Sequence, residues 1–304
     1  MQQRSIITGA LAICFSASLW GLDGIVLTPR LGHLDIGLVV FILHALPFIL
    51  MQFFFYREYR HLQSFTFNDM VMFFLLSLFG GAVGTMAIVK ALFLVNFQHL
   101  TLVVLLQKLQ PVFAITLAAL ILKERLKRNI ILWASLAVGA GYFLTFGFHL
   151  PDLETGANAT YAAAYSLLAA FSFGSSTVFS KKILQKFSFY TATFYRYGIT
   201  ALLMLVYVLL AGKMVGLPAV NKSEWLIFLL IGITTGSGAI FLYYYGLRKV
   251  RAMIATICEL CFPISAILFD YLVNHKVLSL VQWISAGIML FAIIKLSVSN
   301  NEKK

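Results

Sequence analysis

Charge is scarce in this sequence. Only 11% of its 304 residues are Asp, Glu, Lys or Arg, against roughly 25% in a soluble globular domain. Polar stretches between the apolar runs are short, so almost nothing is left over for a separate soluble domain. No Gly-rich phosphate loop ends in Lys and Ser/Thr, no His and Glu pair stands at metal spacing, and no Ser, His and Asp set falls on loops. Those absences argue against an enzyme and leave no expected metal or cofactor. Cysteine is also rare: Cys14, Cys258 and Cys261 all lie inside apolar runs and read as packing residues, not as a disulfide framework. Cys258 and Cys261 spell CxxC, but no second Cys or His pair follows at ligand spacing.

What is present is hydrophobic: 61% of residues, with a mean hydropathy of +0.92. A bilayer core takes about 20 apolar residues per helix. The pattern predicts ten spans: Ser5 to Leu27, Asp35 to Tyr56, Asp69 to Leu94, His99 to Leu122, Asn129 to Gly147, Thr160 to Lys182, Phe189 to Gly212, Glu224 to Leu247, Ala252 to Val273 and Leu280 to Leu296. Arg4 followed by apolar Ile6 to Leu22 imitates a signal peptide. No small-x-small cleavage site follows it, so a first helix is expected.

Short cytoplasmic loops collect Lys and Arg. With both termini placed in the cytoplasm, sixteen of the 23 basic residues fall on that side, among them the run Lys123, Arg125, Lys127 and Arg128. Four fall outside (Arg30, Lys213, Lys222 and Lys276), and Lys90, Lys108 and Arg196 lie within spans. The net charge of +12 is therefore distributed by membrane side and forms no basic domain for nucleic acid.

The fourth and ninth spans stand out. Gln107, Lys108, Gln110 and Pro111 interrupt one, and Glu259 and Pro263 interrupt the other, 152 positions further on. The same offset pairs Gly80 and Gly84 with Gly232 and Gly236, His44 with Arg196, and Glu124 with Lys276. Five spans per copy is an odd number, so the second copy must be inverted, and inverted repeats house a substrate site near the midplane. The expected architecture is an all-α membrane protein of ten transmembrane helices, built as two inverted five-helix repeats. Its units are residues 1–150, residues 158–297 and a cytoplasmic tail 298–304, with the seam in the connection 148–159.

The stretches "GGAVGTMAIVKAL", "LLQKLQPVFAITLAALILKERL" and "SLAVGAGYFL", matched by "GSGAIFLYYYGL" and "ATICELCFPISAILFDYL", resemble the drug/metabolite transporter superfamily in its ten-helix form with two EamA-type repeats. The resemblance covers essentially the whole chain. It implies a small-solute exporter or exchanger of the plasma membrane, with a central cavity and no ATP-hydrolysing domain. Two positions depart from the family pattern. His44 replaces an Arg in the second helix of the first copy, and Lys276 replaces a Glu after the second proline helix.

At about 1.5 Å per residue, Lys108 and Glu259 both lie near the midplane. An ionisable group at that depth usually faces protein or a water-filled path. Gln107, Lys108 and Glu259 are expected to line the cavity; a Lys108 to Glu259 ion pair that only locks the halves is the alternative. If they line it, Lys108 tunes binding, and Glu259 exchanges a proton for substrate. Pro111 and Pro263 each remove a helix hydrogen bond one turn after these groups, which makes them hinges or passive kinks. Arg196 and His44 are candidate gates, with carbonyl capping and ordinary packing as their plain readings. Lys90, Trp20 and Tyr244 complete the expected cavity, and Asp23 is expected to meet water near an outer helix end. Gly80, Gly84, Gly232 and Gly236 are expected to permit close helix contact.

The function expected is secondary transport, by alternating access, of a small polar or amphipathic metabolite across a plasma (bacterial inner) membrane, with outward flux as the family's habit. Cations outnumber the deep anion, which leans towards a carboxylate-bearing substrate. The alternatives are a lipid-precursor flippase or a non-transporting membrane assembly subunit. The partners expected are a small-molecule substrate, protons and the lipid bilayer, with the protein a monomer or homodimer.

Overall fold

The computed structural model describes residues 2–94, 103, 106–148, 157–275, 277 and 279–299, apart from a few side chains at their edges. Among these residues all regular structure is helical. Helix α1 (Gln2–Leu22) runs on through a π segment (Asp23–Leu27) and a 3₁₀ turn (Thr28–Leu31). Then come α2 (Ile36–Phe55) and α3 (Phe67–Ser77), which passes through a π segment (Leu78–Val83) into α4 (Gly84–Leu94). Helices α5 (Gln110–Ile121) and α6 (Arg128–Phe146) complete the first half. The second half holds α7 (Ala157–Leu184), α8 (Phe189–Leu210), and α9 (Lys222–Ile231), joined by a π segment (Gly232–Gly236) to α10 (Ser237–Lys249). It ends with α11 (Ala252–Cys258), α12 (Cys261–Asn274) and α13 (Leu280–Ser299).

Nine helical stretches among the described residues are long and apolar enough to cross a bilayer, and α5 is a shorter apolar helix. Most of the expected fourth span ahead of α5 lies outside the described residues, as do Lys276, the end of the tail and most of the connection between halves. Large apolar side chains such as Phe54, Leu210 and Val277 stand exposed; a contiguous apolar exterior is stable only against lipid. Helix starts follow their polar signals. Asp35 accepts from Gly37 and Leu38 at α2, Thr66 and Asp69 form a capping box at α3, and Asn221 and Glu224 form another at α9.

The two halves interlock. Helix α1 packs on α10 and α12 of the second half, and α7 packs on α3, α4 and α5 of the first; α2 pairs with α8 and α6 with α13. Close approach is set by two glycines. A Cβ at Gly21 would stand 2.8 Å from Ala266 N, and one at Gly174 would stand 2.9 Å from Gln110 O and 3.0 Å from Ala114 N. Ala266 and Ala114 are themselves 152 positions apart. The same contact is thus built once in each direction.

Two of the three π segments, Leu78–Val83 and Gly232–Gly236, fall at the repeated glycines. A Cβ at Gly80 would meet Ser176, one at Gly84 Phe173, both of α7, and one at Gly232 Pro47 of α2. These three glycines allow close helix contact, as expected. Gly236 differs: its neighbours within reach all belong to Ile231 of its own π turn, so it serves the turn and not a helix crossing.

Candidate functional site

Both proline helices are broken at the polar residues. In the first half Lys108 and Leu109 form a turn, and Pro111 is the second residue of α5. In the second, Glu259 and Leu260 form the turn between α11 and α12, with Pro263 the third residue of α12. Pro lacks an N–H, and the first turn of a helix has no intrahelical use for one. The prolines therefore start new helices, where kinks in continuous ones were expected. The turns close with i to i−3 bonds: Leu109 N to Leu106 O (3.1 Å), Leu260 N to Ile257 O (3.1 Å) and Phe262 N to Glu259 O (2.9 Å).

The breaks meet. Gln110 Nε2, at the start of α5, donates to Glu259 Oε2 (2.7 Å). Tyr243 OH of α10 donates to Oε1 (2.6 Å), and Thr177 Oγ1 of α7 also donates to it (3.1 Å) while lying 3.0 Å from the Tyr243 hydroxyl. Trp20 of α1 closes one side, its ring 5.4 Å from that of Tyr243. A carboxylate has about four acceptor sites; three are engaged, which leaves room for one more donor. Glu259 is half-buried, and its partners are neutral. No ion pair joins it to Lys108 among the described residues. The Lys108 Nζ instead faces α6, 3.7 Å from where a Cβ at Gly141 would stand.

Behind this group lies a second. Arg196, 8% exposed, donates from Nη1 to Tyr244 OH (2.8 Å) and from Nη2 to Gly80 O (2.7 Å) in the π segment Leu78–Val83. Tyr244 also accepts from Ser180 (3.0 Å) and is fully buried. Tyr244 was expected at the cavity surface; its neighbour Tyr243 is the one that reaches Glu259. Arg196 caps a carbonyl here, one of the parts open to it. His44 does the same through Nδ1 to Val40 O (2.8 Å), with its ring 5.1 Å from that of Tyr197. Lys90 is exposed, and Gln107 is half-buried just ahead of the break. The Cys14 thiol approaches both Cys258 and Cys261, a neighbour for the CxxC that spacing alone does not show; all three are free.

Sequence reasoning passed over Gln110 and Thr177. A continuous helix turns about 100° per residue, and the break resets that angle, so spacing alone cannot choose between Gln107 and Gln110. The usable signal was the adjacency of Gln110 to Pro111, because a helix starting at the proline aims its first side chains back into the gap.

Comparison with known proteins agrees with this architecture. The model of the EamA-like transporter family matches residues 6–146 and again 160–298. The chain is 55% identical over 295 residues, 97% of its own length and 99% of the relative's, to a protein of Fusobacterium nucleatum named riboflavin transporter ImpX. It is 24% identical over 200 residues to an uncharacterized transporter of Archaeoglobus fulgidus, covering 66% of this chain and 68% of that one. A solved crystal structure superposes with a TM-score of 0.71 at 16% identity, over 97% of this chain and 99% of the other, a likeness of fold alone. Two tandem matches, an all-helical body and a shared polar group where two broken helices meet lead to one statement: the chain belongs to the EamA-like transporter family and is a multi-pass membrane transporter, not an enzyme.

Proposed function

We propose that this protein carries riboflavin, or a flavin of the same ring system, across the plasma membrane by facilitated exchange with alternating access. The observation that carries the reading is the 55% identity, over nearly the full length of both chains, to a protein named as a riboflavin transporter. The Glu259 group supports it chemically. Riboflavin is uncharged, with a flat fused ring whose one edge alternates carbonyl, N–H and carbonyl. The Glu259 oxygens can accept from that N–H, the Gln110 amide can meet a carbonyl, and Trp20 and Tyr243 offer aromatic faces. Such a balance of apolar walls and few polar anchors suits a small organic solute. An anionic substrate has less support, since Arg196 is already engaged with Gly80 and Tyr244. Alternating access would move the two broken helices against α1 and α7, which clasp them through Gly21 and Gly174.

The test is counterflow in vesicles containing the purified protein. Vesicles preloaded with unlabelled riboflavin should take up labelled riboflavin faster than empty ones and far faster than protein-free ones. Equal uptake in all three would refute the flavin reading, and competition by amino acids or organic acids instead would return the substrate to that class.

A further inference from the structure

We propose that Asp23, Thr28 and Thr235 form a binding site for a monovalent, sodium-sized cation at the junction of the first and eighth spans. Asp23 opens the π segment that ends the first span, and Thr235 lies in the π segment between α9 and α10. Asp23 Oδ1 and Thr235 Oγ1 are both buried, and neither has a hydrogen-bond partner among the described residues. Thr235 is 1% exposed. The Thr28 and Thr235 hydroxyls lie beside the Asp23 carboxyl, yet Oδ1 and Oγ1 make no hydrogen bond of ordinary geometry; buried polar atoms in native proteins are almost always well satisfied, so this gathering of oxygens suits a ligand. No Lys, Arg or His acts on this carboxyl among the described residues. Tyr197 is the other titratable group that feels it, with His44 stacked behind. An ionised carboxylate buried with no cation is expensive; a bound cation removes that cost.

The donor set selects the cation. It is all oxygen, from one carboxylate and two hydroxyls. Hard oxygen donors exclude the softer transition metals, and no group of three His, Cys, Asp or Glu side chains suited to a metal occurs among the described residues. A single formal negative charge suits a monovalent ion better than calcium, whose sites gather several carboxylates. Because the oxygens come from both repeats, occupancy ties α1 to the α9–α10 span, and cation gradients can thereby bias the exchange proposed above. The site itself does not depend on which solute is carried.

Thermal unfolding of the full-length protein in detergent, without flavin, tests this. Sodium chloride should raise Tm saturably relative to N-methyl-glucamine chloride at equal ionic strength, as a ligand of the native state must. Thr235→Val keeps the shape of the side chain and should raise the half-saturating sodium concentration about tenfold, equivalent to losing ~1.4 kcal/mol. Asp23→Asn should abolish the response, and Glu259→Gln should keep it. The proposal is overturned if sodium gives no specific rise, if Thr235→Val responds like the parent, or if acid alone reproduces the effect. With no flavin in the assay, such a failure leaves the substrate reading untouched.

Discussion

Glu259 accepts from Gln110, Thr177 and Tyr243, three donors on three helices. Hydrogen bonds to an ionised group are worth about 1.5–3 kcal/mol each, and a group left without its partner costs a similar amount. Glu259→Gln keeps the volume but swaps an acceptor for a donor. One of the three neighbours, or the substrate's own N–H, then loses its partner. Flavin affinity should fall at least about tenfold, with Tm lowered by a few degrees at most, as read by quenching of flavin fluorescence on titration with protein; affinity equal to the parent would remove Glu259 from the site. The identity of this residue was legible in the sequence, because a lone carboxylate in an apolar run is too costly to keep unless it serves a site. Its partners were not. Lys108 is close along the sequence pattern yet faces Gly141, and the choice between Gln107 and Gln110 turned on a helix break whose position no periodicity reveals. Asp23 departs from expectation for a related reason. Its place near a helix end suggested water, but the first span continues through Leu31, and Oδ1 is covered.

The prolines of the sequence foretold interruptions, and the structure shows them as the starts of new helices. Pro111 begins α5, and Pro263 sits in the first turn of α12. Replacing Pro111 by Ala restores an N–H and lets one helix run through the turn at Lys108 and Leu109. The variant should insert and fold normally but exchange flavin several-fold more slowly; poor expression with normal flux per molecule would show that the proline only shapes the fold. The Glu after the first proline helix acquires a physical role as well. Glu124 Oε1 accepts from Ala252 N (2.8 Å) and Oε2 from Met253 N (3.2 Å), so it caps α11 of the opposite half, and Arg251 pairs with it at 3.5 Å. An Ala there leaves the helix start uncapped, at a cost of about 0.5–2 kcal/mol. Glu124→Ala should lower Tm by a few degrees, whereas Glu124→Gln, which still accepts, should recover much of the loss. The family resemblance marked this residue, but only the fold shows that its partner lies 128 positions away.

At the scale of the whole molecule, charges far apart in sequence collect at two ends. At one, Lys181 Nζ donates to the carbonyls of Leu247 (2.8 Å), Arg248 (3.2 Å) and Val250 (2.6 Å), and Arg251 Nη2 donates to Arg125 O (2.7 Å). Gly9 of the first helix packs there too, against Lys249 and Gly246. At the other end, Lys213 pairs with Asp35 (3.2 Å) and His33 with Glu224 (2.8 Å). The first group comes from the sixteen basic residues assigned to the cytoplasm, and Lys213 is one of the four assigned outside. Charge bias made this sorting legible because orientation is set by short loops, which the sequence displays openly; the interlocking of the halves was hidden because it depends on long-range contacts at glycines such as Gly21 and Gly174. The orientation expected from the charge bias has Arg125 in the cytoplasm. Arg125 is exposed, and its structural contact is through the backbone carbonyl, so Arg125→Cys in a protein whose three native cysteines are replaced should fold. A membrane-impermeant maleimide applied to intact cells should fail to label it and should label it once the cells are opened, while Lys213→Cys should already be labelled in intact cells. Ready labelling of Arg125→Cys from outside would invert the orientation of both repeats together, since α1 and α7 hold each half by its counterpart and neither can be turned over alone.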